Sequence, residues 1–253
     1  MHARSPPIDI KETIDIKETI QTLSELSQEF REFCEEMKVD SLPMTWLHNP
    51  DLLGSDAEHC PFNDKHAIIF KKIPTEVDDI FLVAHEIMHV IRAMDKMPLK
   101  IKPNYSIFDK NIASVFALIL RNLLEDPVVD RLLKEEYNFD PLQHYENGII
   151  KMRNSLERRV SCGLIGGIFE ETQIVFNLCT QKLMWDLIEN KETNLKWIEY
   201  EAWLKDNYPD AVNARDVLVS FIEQVGLDTK EKQRRIFDVI TEAFGITSMV
   251  YVQ

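Results

Sequence analysis

Apolar residues recur three and four apart between Lys17 and Lys38, at Ile20, Leu23, Leu26, Phe30 and Phe33. That period lines one side of a helix. Two short apolar runs follow, Met44–Leu47 and His66–Lys72, and both predict strands. Between them, residues 49–64 are rich in Pro, Asp and Asn and predict a loop. Pro74–Asp78 opens the next helix, with Thr75 or Asp78 as its cap; this helix should run to about Met94 and stop before Pro98. A further helical region covers Ile112–Tyr137, with an interruption expected at Pro127. Helical periodicity then returns near 142–159, 168–190, 194–206, 213–226 and 229–244, with no strand signal beyond Tyr137. The order predicts an α+β fold that is mostly helical.

Composition narrows the class. The chain has 253 residues, 45% hydrophobic and 28% charged, which predicts a soluble globular protein able to bury a core. Only 7 glycines are present, too few for the repeated tight turns of an all-β fold. A net charge of −14 argues against nucleic acid or an anionic membrane as partner. The basic runs Arg153–Arg159 and Lys230–Arg235 are interleaved with acids and read as solvated helix faces. Cys34, Cys60, Cys162 and Cys179 form no CxxC pair and no disulfide framework is expected. No apolar run follows Met1–Pro7 as in a secretory signal, and no stretch is long enough to span a bilayer. Together these predict a cytoplasmic protein. The hexapeptide Ile8–Thr13 is repeated at Ile14–Thr19; two copies do not make a solenoid, so 1–20 is expected to be an arm or an extended helix start.

The chemistry is concentrated in His85-Glu86-Ile87-Met88-His89. On a helix, residues four apart point within about 40° of each other. Two imidazoles can therefore share one metal ion, with Glu86 about 100° round the helix beside it. The surrounding residues 80–91 carry no other charge and no Gly or Pro, as suits a buried helix holding two ligands. Zinc is the cofactor this motif predicts.

A catalytic zinc takes a third protein ligand. The pattern HExxHxxGxxH fails, because Arg92 stands at the Gly position and Asp95 at the third His. The segment Asn122–Asp130 on the following helix is the better source. Glu125 is the expected ligand, since Glu reaches further than Asp and Asp126 is wanted as a cap before Pro127. The alternative is Asp126, with Asp130 four residues on, along the same face, holding a histidine by its second nitrogen. His144 and Tyr145 are candidates to polarise a substrate carbonyl. His59, Cys60 and His66 lack ligand spacing and read as polar surface. Gly163, Gly166 and Gly167 read as a turn or a close helix contact.

On HExxH and the downstream acidic helix, the chain resembles the gluzincin class of zinc metallopeptidases. Its N-x-x-E-D string is similar to that of bacterial metallopeptidase domains found beside von Willebrand A modules. Its helix–strands–HExxH order resembles small cytoplasmic peptidases of the phage anti-repressor type. The resemblance covers about residues 20–136. It implies a small zincin-like sheet and a catalytic core at 21–137. One helix and three short strands are a thin core, so the helical region at 138–253 is expected to pack on it. The expected activity is peptide-bond hydrolysis with Glu86 as general base and a peptide or protein as substrate. An extended peptide would add to the strand at His66–Phe70 if that strand is a sheet edge. The competing reading is a catalytically silent module that keeps the fold and binds a regulatory protein partner. Retention of Glu86 argues against it, since a purely structural zinc site needs no base.

Overall fold

A computed structural model describes residues 12–52, 56–62, 65–106, 109–161, 167–189 and 191–253. The first hexapeptide copy up to Lys11, Cys162, Gly163 and Gly166 lie outside the described residues. The protein is 67% helical with a four-stranded mixed sheet and a separate two-stranded sheet, the mostly helical α+β fold that the periodicity predicts. It divides into two compact units, one formed up to Lys96 with Leu133–Asp140, the other by Met97–Leu132 and Pro141–Gln253.

In the first unit, β1 (Glu12–Ile14) leads into α1 (Ile16–Leu26), so the second hexapeptide copy is ordered structure. Asp15 caps α1, its carboxylate accepting from the N–H groups of Lys17 and Glu18. The single helix expected over 17–38 is two. Ser27 takes extended angles, φ −142 and ψ 129, and its Oγ accepts from the Phe30 N–H at 3.0 Å to start α2 (Gln28–Glu36). A serine side chain competes for backbone groups in this way, and apolar spacing alone does not register it.

The sheet contains β2 (Met44–His48), β3 (Ala57–Phe62) and β4 (Lys65–Phe70), in the order β1-β2-β4-β3. β2 and β4 are parallel, Met44 opposite His66, and the other two pairings are antiparallel. Two expectations change here. β4 lies inside the sheet between β2 and β3, so it is not the edge a peptide could join. The segment expected to be a loop supplies β3, the end strand. Pro61 hid it, yet its place is physically sound. The Lys71 N–H donates to the Asp56 carbonyl at 2.8 Å, so Glu58 and Cys60 carry the ladder bonds to β4. Pro61 falls at the alternate position, where its missing N–H removes none of them.

α3 (Ile80–Met94) packs on β3 and β4 through an apolar surface that includes Val83, Ala84, Ile87 and Val90, all fully buried. It starts from a 3-10 turn at Val77–Asp79 closed by Glu76 and Asp79 as a reciprocal capping box, in place of Thr75 or Asp78. The Asp79 carboxylate accepts from the N–H groups of Thr75 and Glu76. The segment Leu133–Asp140 completes this unit, with the Tyr137 and Phe139 rings edge-on to Phe33 at 5.0 and 5.6 Å.

The second unit begins with β5 (Ile101–Pro103), followed by most of α4 (Lys110–Tyr137). Then come α5 (Leu142–Ser161), α6 (Ile168–Trp185), α7 (Leu195–Asn207), α8 (Pro209–Val225) and α9 (Lys230–Ala243), close to the expected spans. A last strand, β6 (Val250–Val252), pairs antiparallel with β5, contrary to the expectation of no strand beyond Tyr137. Three residues are too few to show alternation. The core joins Phe116, Leu120, Leu123, Phe176, Cys179, Ile222, Ile236 and Ile240. Among the described residues no helix is long and apolar enough to cross a membrane.

α4 runs unbroken through Pro127, where an interruption was expected. A proline inside a helix removes one ladder bond and crowds the carbonyls of the preceding turn. Beside this turn Gln233 on α9 donates from Nε2 to the Leu124 carbonyl at 3.2 Å and to the Leu227 carbonyl at 3.1 Å.

Candidate metal centre

Helix α3 places both motif histidines on one side. His85 is buried and His89 half-buried, and their Nε2 atoms approach to 2.9 Å, with the rings 76° apart in plane. Two nitrogens bound to one tetrahedral zinc at about 2.0–2.1 Å are about 3.3 Å from each other. The pair is thus close to the spacing of a shared ion. Glu86, between them in sequence, is 6% exposed. Phe81, one turn earlier, lies 6.4 Å from the His85 ring and helps to keep that side apolar.

His85, His89 and Asp126 each offer a ligand atom, and these atoms all lie within 4.8 Å of one another. The three can hold a metal ion. Two imidazoles and a carboxylate are a donor set that suits a first-row divalent cation, which is the chemical test of fit. This group contains Asp126 in the place that the sequence reading gave to Glu125. The physical reason is in α4. Because the helix continues through Pro127, Asp126 sits mid-helix and caps nothing. Glu125, one residue earlier, is not in this group. It is 2% exposed, and its Oε1 accepts from Gln233 Nε2 at 2.7 Å. The same Gln233 amide thus engages both the Leu124 carbonyl and Glu125.

Asp130 lies one helical turn beyond Asp126 and is fully buried. The Tyr145 hydroxyl donates to its Oδ2 at 2.7 Å. Tyr145 is 4% exposed, and burial, with the charge of Asp130 second, holds its pKa well above the usual phenol value. It stays a neutral donor across the physiological range. The structure therefore engages Tyr145 with Asp130, where the sequence reading has it polarise a substrate carbonyl. His144 packs against Tyr145, ring centroids 6.1 Å apart.

No known protein family, curated protein or solved structure matches the chain.

Two histidines read as polar surface stand close to the motif. His59 on β3 and His66 on β4 share one face of the sheet as diagonal neighbours. His59 Nε2 and His66 Nδ1 are 2.8 Å apart, and the His59 ring is parallel to His89 within 10° at 6.4 Å. Burial lowers the pKa of His66 below the usual histidine value. The sequence offered no spacing signal for this pair, because the cross-strand register brings them together.

Proposed function

We propose that the protein is a zinc-dependent metallopeptidase whose metal is held by His85, His89 and Asp126. The observation that carries this reading is that His85, His89 and Asp126 offer ligand atoms within 4.8 Å of one another, with Glu86 in the base position of HExxH. When bound, zinc supplies Lewis acidity, lowering the pKa of a coordinated water toward about 7 and polarising the substrate carbonyl.

The chain's own residues do the rest. Glu86 takes the proton of the attacking water on its carboxylate and returns it to the leaving amine nitrogen. The apolar surface of α3 fixes the ring positions of His85 and His89. Asp126 adds a negative charge that neither imidazole provides. Asp130 and Tyr145 restrain the helix turn that carries it.

The substrate class is a peptide or protein. Purified protein should cleave unfolded polypeptide, lose activity to a zinc chelator and regain it with added Zn²⁺. Glu86→Gln should keep the metal and lose turnover. Full turnover in that variant would end the reading.

A further inference from the structure

We propose that His59 and His66 form a second transition-metal site, beside the His85–His89 pair on whose His89 ring the His59 ring stacks at 6.4 Å, that takes a divalent cation of the zinc type. His59 stands opposite Ile68, two residues from His66, so both imidazoles rise from the same face of the antiparallel β3–β4 pair. A sheet holds such positions more rigidly than a loop does, so little ordering entropy is left to lose on binding.

The nitrogens converge. His59 Nε2 and His66 Nδ1 are 2.8 Å apart and the ring centroids 5.0 Å. This repeats, on strands, the 2.9 Å approach of His85 and His89. A neutral imidazole pair in this arrangement shares one proton between two lone pairs. A cation can replace that proton if the donor ring moves its hydrogen to its other nitrogen, a tautomer shift that leaves both rings neutral. Both side chains are half-buried, so an ion can reach them from solution. Two imidazoles leave open positions for water or exchangeable ligands, so this site is weaker than one with three protein donors. The overall charge of −14 favours cation accumulation.

The test is a Zn²⁺ titration of the full chain, stripped of metal, followed by calorimetry. Two classes are expected, one tight and one at least tenfold weaker. His59→Asn and His66→Asn should each remove the weaker equivalent and keep the tighter, which also shows that the variants fold. His85→Asn should remove the tighter and keep the weaker, so failure of this site and failure of the metallopeptidase site are separately visible. In the unmutated protein, zinc beyond one equivalent should protect His59 and His66 from acylation of their rings, mapped by mass spectrometry. Binding of a single equivalent, a second equivalent that survives when His59→Asn and His66→Asn are combined, or unprotected rings at saturation would each overturn the proposal.

Discussion

Replacing Tyr145 by phenylalanine removes one oxygen and keeps the ring, including its 6.2 Å contact with Trp185. The lost interaction is the 2.7 Å hydrogen bond to Asp130. Tyr145 is 4% exposed and Asp130 fully buried, so water has little room to take the hydroxyl's place. A hydrogen bond to a charged group contributes about 1.5–3 kcal/mol, and the central value of about 2 kcal/mol is the expected loss. For a chain of this size each kcal/mol moves a thermal midpoint by about 2–4 °C, giving a fall of about 4–8 °C. Urea unfolding at pH 7 in the presence of a chelator measures this without any contribution from metal binding. The donor stays protonated at that pH, so protonation of Tyr145 does not complicate the comparison. Removing a partner that orients a ligand-bearing element weakens metal affinity by about 10–100-fold, and Tyr145→Phe, one step further out, should fall at or below the lower end. A stability loss under about 0.5 kcal/mol would show that the Tyr145–Asp130 bond is not made in solution.

Gln233→Leu should destabilise by about 2–4 kcal/mol, since it removes the two amide N–H donors shared among the buried Glu125 carboxylate and the Leu124 and Leu227 carbonyls; denaturant unfolding reads the change. Glu86→Gln should bind zinc with unchanged stoichiometry while peptide cleavage falls by at least about 100-fold, measured by metal analysis and a quenched-peptide assay. Stability should fall as pH rises above about 9. Burial pushes the Cys34 thiol up to about 12 and raises those of Cys179 and of the Tyr200 phenol above their ordinary values. A folded-state pKa above the unfolded one means that the folded chain holds its proton longer. The stability is complete below the unfolded value and is lost as pH climbs towards the folded one. Cys34→Ser should flatten the fall between pH 9 and 12 in a pH series of urea midpoints.

The sequence made long periodic elements and one motif legible. Helices α3 and α5–α9 follow from apolar spacing, and HExxH from residues within one helical turn, because both signals are local. What stayed hidden depends on partners far along the chain. β3 carries Glu58, His59, Cys60 and Pro61, none a strand former, and exists because β4 pairs with it. Pro127 reads as a helix breaker, but α4 continues through it beside Gln233, 106 positions further along. The argument for Asp126 as a cap went with that break. Asp126 looked like a cap only because the helix was expected to stop, and the Asp126–Asp130 spacing of one turn was the signal that pointed the other way. His59 and His66 were legible as residues and not as a pair, since their approach is a matter of strand register.

The most direct test is a crystal of the zinc-loaded protein with anomalous diffraction measured at the zinc edge. The account predicts a peak about 2.0–2.1 Å from the Nε2 atoms of His85 and His89 and about 2.0–2.2 Å from a carboxylate oxygen of Asp126, with Glu125 still hydrogen-bonded to Gln233. Asp126→Ala should abolish the peak or sharply reduce its occupancy, and Glu125→Ala should retain it. Absence of a peak at His85 and His89, or a peak bonded to Glu125 with Asp126 turned away, would contradict the account.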